Sequence, residues 1–442
     1  MRKIALFILI TFIIAATAQA KDLPEFMIFT YGDSSPAALT ENMVKQLAEA
    51  DFNTLHGPAD KLALCKKYGV KLMIPHPGFE TAARLKGDPD VWGYDIMDEP
   101  ISLKQLYEAA DSVKAYHAAD PTHLTFVNLN QKAGHWIRLF IDTVQPDFLS
   151  YDEYPWWYGG IYRWFSVEDP LYVKLEQHRD EAIAAGLPLT VWREVNTQRN
   201  VPGSMDRNWI TPPDNEKKIR LNIYATLAYG AKGILWFFSP LLFDKQTGEM
   251  NETGRQVAGI NHELKRLGPV LFPLTSTGVF HTPPVPKGSR QTTPDHWVQL
   301  MEKGLMMGTF RDKDKKEYVL AVNKDWKTAR KATLQFRLFL QEVNSVEMLD
   351  KQTGEWKTLP LSEGKDTRDH KKIYNIDTIP PDVKQYITYN RKALTPKELS
   401  FFELYHTYRP PYQAVSFTLA PGDGELVRVI FKDGQDIPDP RK

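Results

Sequence analysis

Residues 91–128 read VWGYDIMDEPISLKQLYEAADSVKAYHAADPTHLTFVN and contain the repeating unit on which the fold prediction rests. An apolar, β-rich run over 91–99 is followed by a helix-period stretch over 103–118. A second β-rich run then covers 122–128. A strand, a helix and another strand in this order predict parallel strands that are joined by a crossover helix.

The same alternation continues through the first 265 residues. β-rich runs occur at 25–31, 52–56, 71–76, 91–99, 122–128, 147–154, 187–194 and 233–238. Helical patterns lie between them, and the clearest cover 38–50, 103–118, 171–185 and 215–229. Eight such units in roughly 240 residues predict a (β/α)8 barrel. A doubly wound sheet is the alternative, but no glycine-rich phosphate turn follows the first run.

The pattern changes after the Leu-Gly-Pro sequence at 267–269. Short alternating runs then dominate, at 297–300, 304–310, 318–322, 332–338, 346–349 and 414–430. Turn residues separate these runs, which predicts an antiparallel β-sandwich. We therefore expect a barrel over 21–268 and a C-terminal sandwich over 269–442, with an insertion at about 364–411.

The N-terminus has the features of a secretory signal peptide. Arg2 and Lys3 precede an uncharged apolar run over 5–15, and Ala-Gln-Ala at 18–20 matches a cleavage site. The apolar run is short for a membrane span, which needs about 20 residues. We expect cleavage after residue 20, no membrane insertion of the mature chain, and export to the periplasm, the cell surface or the medium.

The composition excludes several classes of protein. Hydrophobic residues are 42% and charged residues 25% of the 442-residue chain, so a mainly disordered chain is excluded. Lys plus Arg and Asp plus Glu both number 55, and no excess of positive charge indicates a nucleic-acid partner. The single cysteine, Cys65, excludes an intrachain disulfide and a cysteine-based zinc cluster. The oligomeric state is left open.

Two glutamates follow β-rich runs at matching positions. Glu99 ends the fourth run and Glu194 ends the seventh, and active residues of such barrels lie at the carboxyl ends of the strands. Glycoside hydrolysis uses one protonated and one ionised carboxyl group. The two glutamates are therefore candidate catalytic residues, and a retaining enzyme would hold their carboxyl groups about 5–5.5 Å apart.

The segment 91–100, which ends in Asp98-Glu99-Pro100, resembles the fourth-strand motif of the clan A glycoside hydrolases. These are retaining enzymes on (β/α)8 barrels, and the resemblance covers about residues 25–265. It implies that Glu99 is the acid/base and Glu194 the nucleophile. It also implies that Tyr154 contacts the nucleophile and that Trp236 forms the floor of the sugar site. The C-terminal sandwich is similar to the small β-domain of many such hydrolases.

The motif departs from the family pattern at one position. Asp98 stands where the clan usually has an asparagine that donates a hydrogen bond to the sugar 2-hydroxyl. An ionised aspartate can only accept hydrogen bonds. The substitution therefore indicates either a different recognition of that hydroxyl or a barrel that binds glycan without cleaving it.

Further candidates lie at the other strand ends. His56 and His76 could contact sugar hydroxyls, although a loop histidine bonded within the protein is the alternative. Trp156 and Trp157 are candidate stacking surfaces for sugar rings, because two adjacent rings cannot both enter one core along a strand. Glu153, with Asp152 beside it, is the rival of Glu194. These histidines lack the spacing of a zinc-binding helix, so no metal or other cofactor is expected.

Together these features predict an exported glycoside hydrolase that cleaves a poly- or oligosaccharide with retention of configuration. A non-catalytic glycan-binding barrel of the cell envelope is the alternative, and an interaction or scaffold protein of the envelope is a third interpretation. Neither the sugar nor the linkage follows from the sequence.

Overall fold

A computed structural model describes residues 23–32, 39–130, 134–157, 169–197, 211–293, 296–337, 342–365 and 411–432. Eight parallel strands form a closed barrel in sequence order, β1 to β8. They are β1 Met27–Thr30, β2 Thr54–His56, β3 Lys71–Pro75, β4 Val91–Asp98, β5 Leu124–Asn130, β6 Leu149–Asp152, β7 Leu189–Glu194 and β8 Gly233–Phe237. Strand β1 pairs with both β2 and β8, which closes the ring.

The α-helices of the described residues follow the strands on the outside of the barrel. They are α1 Glu41–Glu49, α2 Leu62–Lys67, α3 Phe79–Leu85, α4 Leu103–Ala119, α5 Gly134–Val144, α6 Lys174–Ala185, α7 Asn215–Ala228 and α8 Glu252–Leu271. Capping residues fix several of the starts. The Thr40 hydroxyl accepts from the backbone N–H of Met43, and Asn251 does the same for Gly254 at the start of α8.

Alternation along each strand separates two apolar cores. Met27 and Phe29 point into the barrel, whereas Ile28 points outward to the helices. The interior is filled by large side chains, among them Trp92 and Trp192, so the barrel is a packed core rather than a pore. The end at which the strands finish, here called the mouth, is where side chains can meet a ligand.

Strand β4 contains a β-bulge between Asp95 and Met97. A bulge adds one residue to a strand and reverses the faces of the residues that follow it. Asp95 faces the barrel interior, where it contacts His56. Asp98, three residues later, faces the same side and contacts Asn128 of β5. Without the bulge, strict alternation would place these two aspartates on opposite faces.

The C-terminal part consists of two antiparallel sheets. One has the order β10-β13-β17-β16 and the other β15-β14-β18-β12-β11-β9. The strands are β9 Thr275–His281, β10 Val298–Leu300, β11 Leu305–Arg311, β12 Glu317–Asn323, β13 Arg330–Arg337, β14 Val343–Leu349, β15 Trp356–Leu359, β16 Ser362–Lys365, β17 Pro411–Leu419 and β18 Gly424–Phe431. Apolar side chains of both sheets form a third core between them.

The sandwich packs directly on helix α7. A Cβ atom added at Gly308 of β11 would lie 2.1 Å from the carbonyl oxygen of Ala228, so only glycine allows this approach. Ion pairs also join the two parts. Arg220 Nη1 of α7 lies 3.5 Å from Asp423 Oδ1 of the sandwich, and Lys351 Nζ of the sandwich lies 3.9 Å from Glu263 Oε2 of α8. The barrel and the sandwich therefore share one interface.

The predicted fold class, a (β/α)8 barrel followed by an antiparallel sandwich, is confirmed by this topology. Helix α8 runs to Leu271 and so crosses the predicted boundary at 268, which stays a prediction together with the other domain limits. The signal peptide, the interior of the predicted insertion and most of the loop over 198–213 lie outside the described residues. Within the described residues, we find no helix long and apolar enough to cross a bilayer.

Candidate active site

Carboxylate and amide side chains meet at the mouth where β4, β5 and β6 end. Asp98 and Glu99 follow from β4, Asn128 and Asn130 end β5, and Asp152 ends β6. These three strands are neighbours in the barrel, with Asp98 paired to Asn128 and Asn130 paired to Asp152. The register therefore places five polar side chains side by side.

Asn128 links the carboxylates of the two flanking strands. Its Nδ2 donates to Asp98 Oδ1 at 3.0 Å and to Asp152 Oδ1 at 3.2 Å. Asn130 Nδ2 donates to Glu99 Oε2 at 3.5 Å, a weak contact at the limit of hydrogen bonding. Strand β5 thus supplies amide donors that hold carboxylates from both sides.

Asp152 is buried at the end of β6, beside the carboxyl groups of β4. Burial, with a smaller effect from the negative charges of Glu99 and Asp98, raises the pKa of Asp152 to about 8. Burial also raises the pKa of Asp98, opposed by its hydrogen bond from Asn128. This part of the mouth therefore disfavours additional negative charge.

The backbone of Glu99 has an unusual conformation. Its φ is +46°, in the left-handed region that non-glycine residues rarely adopt, and its N–H donates to the Asn128 carbonyl at 3.0 Å. The side chain is exposed, although it follows a buried strand. His76 at the end of β3 also has a positive φ, of +42°, and an exposed side chain. Such backbone strain is often found at functional sites.

Glu194 lies in a different environment. Its side chain is fully buried, and its Oε1 accepts from the backbone N–H of Trp156 at 2.9 Å. Burial raises the pKa of Glu194 to about 7, while the Trp156 N–H and the charge of Arg193 oppose this shift. Among the described residues, no hydrogen bond joins Glu194 to Glu99. The predicted pairing of these glutamates at 5–5.5 Å stays a prediction.

His56 lies beneath the acidic corner. It is 1% exposed, its Nε2 lies 3.1 Å from Asp95 Oδ2, and its ring stacks on Tyr31 with 4.3 Å between centroids. The Nδ1 atom of His56 and the Oδ1 atom of Asp95 have no hydrogen-bond partner. His56 therefore supports the floor of the mouth from within the barrel.

Aromatic side chains line the opposite part of the mouth. The Tyr154 ring lies 4.8 Å from Trp157 and 5.3 Å from Phe237. Trp157 is buried and donates from Nε1 to the Asn196 carbonyl at 2.6 Å. Phe237 and Tyr31 are half-buried and stack with 6.1 Å between centroids, so part of this surface is open to a ligand.

Trp236 does not form a floor for this mouth. It is fully buried in the core between barrel and helices, and its Nε1 donates to Asn261 Oδ1 of α8 at 2.9 Å. The prediction placed it at the end of β8, but the strand ends at Phe237 and alternation turns Trp236 outward. Phe237 occupies the inward position instead.

Two further predicted residues lie away from the mouth. The Trp156 indole donates to the Lys218 carbonyl of α7 at 3.2 Å and packs against Trp326 of the sandwich. Glu153 is fully buried with its pKa raised to about 8 by burial, an effect that the charges of Arg193 and Lys174 oppose. Because Asp152 faces inward, alternation directs Glu153 toward the helices.

Asn128, Asn130 and Asp152 were not predicted as site residues. The sequence did contain a signal for them. Asn128 and Asn130 are two residues apart at the end of a predicted strand, and the neighbouring strands end in carboxylates. Among the described residues, no group of three or more His, Cys, Asp or Glu side chains could hold a metal ion.

No protein-family model matches this sequence, and no curated protein matches it either. Solved structures show a weak likeness. A glycoside hydrolase family 5 protein from Bacteroides vulgatus ATCC 8482 has 10% identity and a TM-score of 0.48, over 94% of this chain and 93% of that chain. A family 51 arabinofuranosidase from Xanthomonas axonopodis pv. citri has 10% identity and a TM-score of 0.47, over 92% and 96%.

A family 51 α-L-arabinofuranosidase from Bifidobacterium longum has 11% identity and a TM-score of 0.44, over 93% of this chain and 97% of that chain. At such scores and identities, the likeness supports no argument about this chain. The fold assignment rests on the strand order, and the function must be argued from the chain's own residues.

Proposed function

We propose that this protein is an exported glycoside hydrolase whose acid/base residue is Glu99. The observation that carries the proposal is the acidic corner of the mouth, where the exposed Glu99 accepts from Asn130 beside the hydrogen-bonded group of Asp98, Asn128 and Asp152. A general acid must reach the substrate, and the exposed carboxyl group of Glu99 meets this need.

The aromatic side of the mouth supports a carbohydrate substrate. Sugar rings stack their C–H faces on flat aromatic groups while their hydroxyls remain at the edge. Tyr31 and Phe237 offer half-buried rings, and the Asp98 and Asn130 side chains offer polar partners at the acidic corner of the mouth. His76, exposed at the end of β3, is a further candidate for a hydroxyl contact.

For the second carboxylate we propose Glu194, which would attack the anomeric carbon in a retaining, double-displacement mechanism. Glu99 would protonate the leaving oxygen and then take a proton from the water that releases the sugar. The Trp156 N–H holds one oxygen of Glu194, and the other oxygen has no hydrogen-bond partner.

The test compares the mature wild-type protein with Glu194→Ala on a panel of polysaccharides and aryl glycosides. Release of reducing sugar by the wild type, its loss in the variant and its partial return as inverted product with azide would support a nucleophilic Glu194. Glu80→Ala, which removes an exposed carboxylate on α3, is the control and should retain activity. Glycan binding without turnover by folded protein would favour the non-catalytic barrel instead.

Export rests on the leader alone and has its own test. The full chain is expressed in a bacterial host, and its N-terminus and compartment are determined. A protein that begins at residue 21 outside the cytoplasm supports export, and one that keeps residues 1–20 in the cytoplasm contradicts it.

A further inference from the structure

We propose that Arg193 is a positioning residue that holds the turn after β6, residues 153–157, against β7. This turn brings the Tyr154 ring to the mouth and the Trp156 N–H to Glu194. The inference rests on the proposed function and deepens it, because it names the group that keeps the proposed nucleophile and the aromatic side of the mouth in place.

Two consecutive residues of β7 bind this turn from opposite sides. Arg193 Nη1 donates to the carbonyl of Glu153 at 2.8 Å. Glu194 Oε1 accepts from the backbone N–H of Trp156 at 2.9 Å. Because neighbouring residues of a strand point to opposite faces, Arg193 reaches the turn from the helix side and Glu194 from the barrel side. The position of the turn and that of the Glu194 carboxyl group are therefore coupled.

The guanidinium group of Arg193 is itself held in one orientation. Its Nε donates to Thr226 Oγ1 of α7 at 2.9 Å, and the Thr226 hydroxyl donates to the carbonyl of Asn222 at 2.6 Å. The Arg193 side chain is fully buried. A planar guanidinium binds acceptors in two fixed directions at once, whereas a lysine ammonium on its flexible stem does not. Arg193 therefore joins α7 to the turn with a defined geometry.

The turn carries the aromatic side of the mouth. Trp157 Nε1 donates to the carbonyl of Asn196, which also lies just beyond β7, at 2.6 Å. The Tyr154 ring lies 4.8 Å from the Trp157 ring and 5.3 Å from that of Phe237. A shift of the turn at its bond to Arg193 would therefore displace these aromatic rings.

The charge of Arg193 acts on the same site. Burial raises the pKa of Glu194 to about 7 and that of Glu153 to about 8, and the positive charge of Arg193 opposes both shifts. A cation beside a buried carboxyl group favours its ionised form, which a nucleophile needs. The titratable groups around Arg193 lie in or after β6, on β7 and on α6, and they are Tyr151, Asp152, Glu153, Lys174, His178 and Glu194.

The first test measures the turn directly and needs no substrate. Hydrogen exchange of the Trp156 and Trp157 backbone amides is followed by mass spectrometry in the wild type and in Arg193→Lys. The variant keeps the charge but loses the fixed bonds, so these amides should exchange about tenfold faster, while strand β5 keeps its wild-type rates. Unchanged exchange in the turn, or an equal acceleration in β5, would overturn the proposal.

Arg179→Lys is the matched control for this measurement. Arg179 is a buried arginine of α6 that donates to Ser276 Oγ of β9 at 3.1 Å. Exchange in the turn should stay at the wild-type rate in this variant. Thr226→Val, which removes the hydroxyl that orients Arg193 Nε, should also speed exchange in the turn. If Arg193→Lys does not fold, unchanged exchange in Thr226→Val would overturn the proposal.

The second test uses kinetics on whichever substrate the panel identifies. In Arg193→Lys, kcat/KM should fall by about tenfold at every pH, because a small displacement of a reacting group is costly. The acid limb of its pH profile should not move, since the charge remains. In Arg193→Gln the acid limb should also move up by roughly one pH unit, because Glu194 loses the neighbouring cation.

The outcomes of the kinetic test separate the two proposals. If the kcat/KM values of Arg193→Lys and Arg193→Gln equal those of Arg179→Lys and Arg179→Gln at every pH, Arg193 does not position the site and the inference is wrong. If the wild type cleaves no substrate, the proposed function fails, and the exchange measurement still decides whether Arg193 holds the turn.

Discussion

Glu99 and Glu194 occupy equivalent positions in the sequence pattern, each at the end of a barrel strand, yet the structure places them in contrasting surroundings. Glu99 is exposed, has a left-handed backbone and accepts a weak hydrogen bond from Asn130. Glu194 is fully buried and accepts a backbone N–H from the β6 side of the mouth. A place at a strand end therefore does not determine how a side chain meets solvent or substrate.

The contrast has a local cause on each strand. On β4 the bulge between Asp95 and Met97 changes the faces of the residues after it. On β7 the strand is regular, with Trp192 inward and Arg193 bound to Thr226 of α7. Glu99 follows the end of β4 and is exposed to solvent. Glu194 is the last residue of β7 and stays buried, where it accepts from the backbone N–H of Trp156.

The largest effect is expected for Glu99→Gln. Loss of a general acid lowers rates by roughly 10²–10⁴-fold, so kcat/KM should fall by that factor. The melting temperature should stay within about 2 °C, because the side chain is exposed. Steady-state kinetics measure kcat/KM, and thermal melts measure the melting temperature. Glu80→Gln, which removes an exposed carboxylate of α3 outside the proposed site, is the control. Full activity in Glu99→Gln would show that the exposed glutamate has no part in catalysis.

Glu194→Gln should change the pH dependence of stability. The pKa of Glu194 is raised to about 7, so the folded state binds more protons than the unfolded state between pH 4.5 and 7. Wild-type stability therefore falls as pH rises through this window, by on the order of 3 kcal/mol from this group. In Glu194→Gln, this part of the dependence of the free energy of unfolding on pH should be absent.

Guanidinium denaturation at pH 5 and pH 8 measures this difference for Glu194→Gln. The wild type should lose more free energy of unfolding than the variant between the two pH values. An equal change in the free energy of unfolding between the two pH values in both proteins would contradict a raised pKa of Glu194.

Asn128→Ala should destabilise the protein by about 2 kcal/mol, because both Asp98 and Asp152 lose a hydrogen-bond donor. Asn130→Ala is the matched control, since its only described side-chain bond is a contact of 3.5 Å at an exposed site. Its effect should be within about 0.5 kcal/mol. Urea denaturation compares the two. Equal losses would contradict the role of Asn128 as the link between β4 and β6.

The smallest effect is expected at β8, where the structure separates two adjacent aromatic residues. Trp236→Phe removes the bond to Asn261 and should cost about 1 kcal/mol of stability without a change in KM. Phe237→Ala should raise KM, because Phe237 is half-buried at the mouth. KM and the melting temperature are measured for both variants. A KM that is raised in Trp236→Phe but not in Phe237→Ala would show that Trp236, and not Phe237, contacts the substrate.

Much of the fold was predictable, because strands and helices carry different hydrophobic periods. Seven of the eight barrel strands lie within the predicted runs, and β5 extends two residues beyond its run, to Asn130. The helices α4 and α7 lie close to their predicted limits. The sequence pattern missed β9, β15 and β16, which are strands at the edges of the two sheets. Edge strands bury little apolar surface, so their alternation is weak.

The site was predictable only in part. The structure places Glu99 and the aromatic pair Tyr154 and Trp157 at the mouth, and their roles stay predictions. Trp236 faces away from it, because neighbouring residues of a strand point to opposite sides and composition does not tell which side is inward. Trp156 lies beyond the end of β6, and its indole contacts α7 and the sandwich. Asp152 was noted beside Glu153, and the structure places Asp152 next to Asn128 at the mouth.

The sequence by itself determined the order of strands and helices, the change to a sandwich near residue 270, and the presence of carboxylates at strand ends. These features depend on local periodicity and residue type. The tertiary structure alone decided that Asn128 joins Asp98 to Asp152 and that Glu194 is enclosed. Such contacts depend on the register of three neighbouring strands and on one bulge, and a shift of a single residue reverses every face.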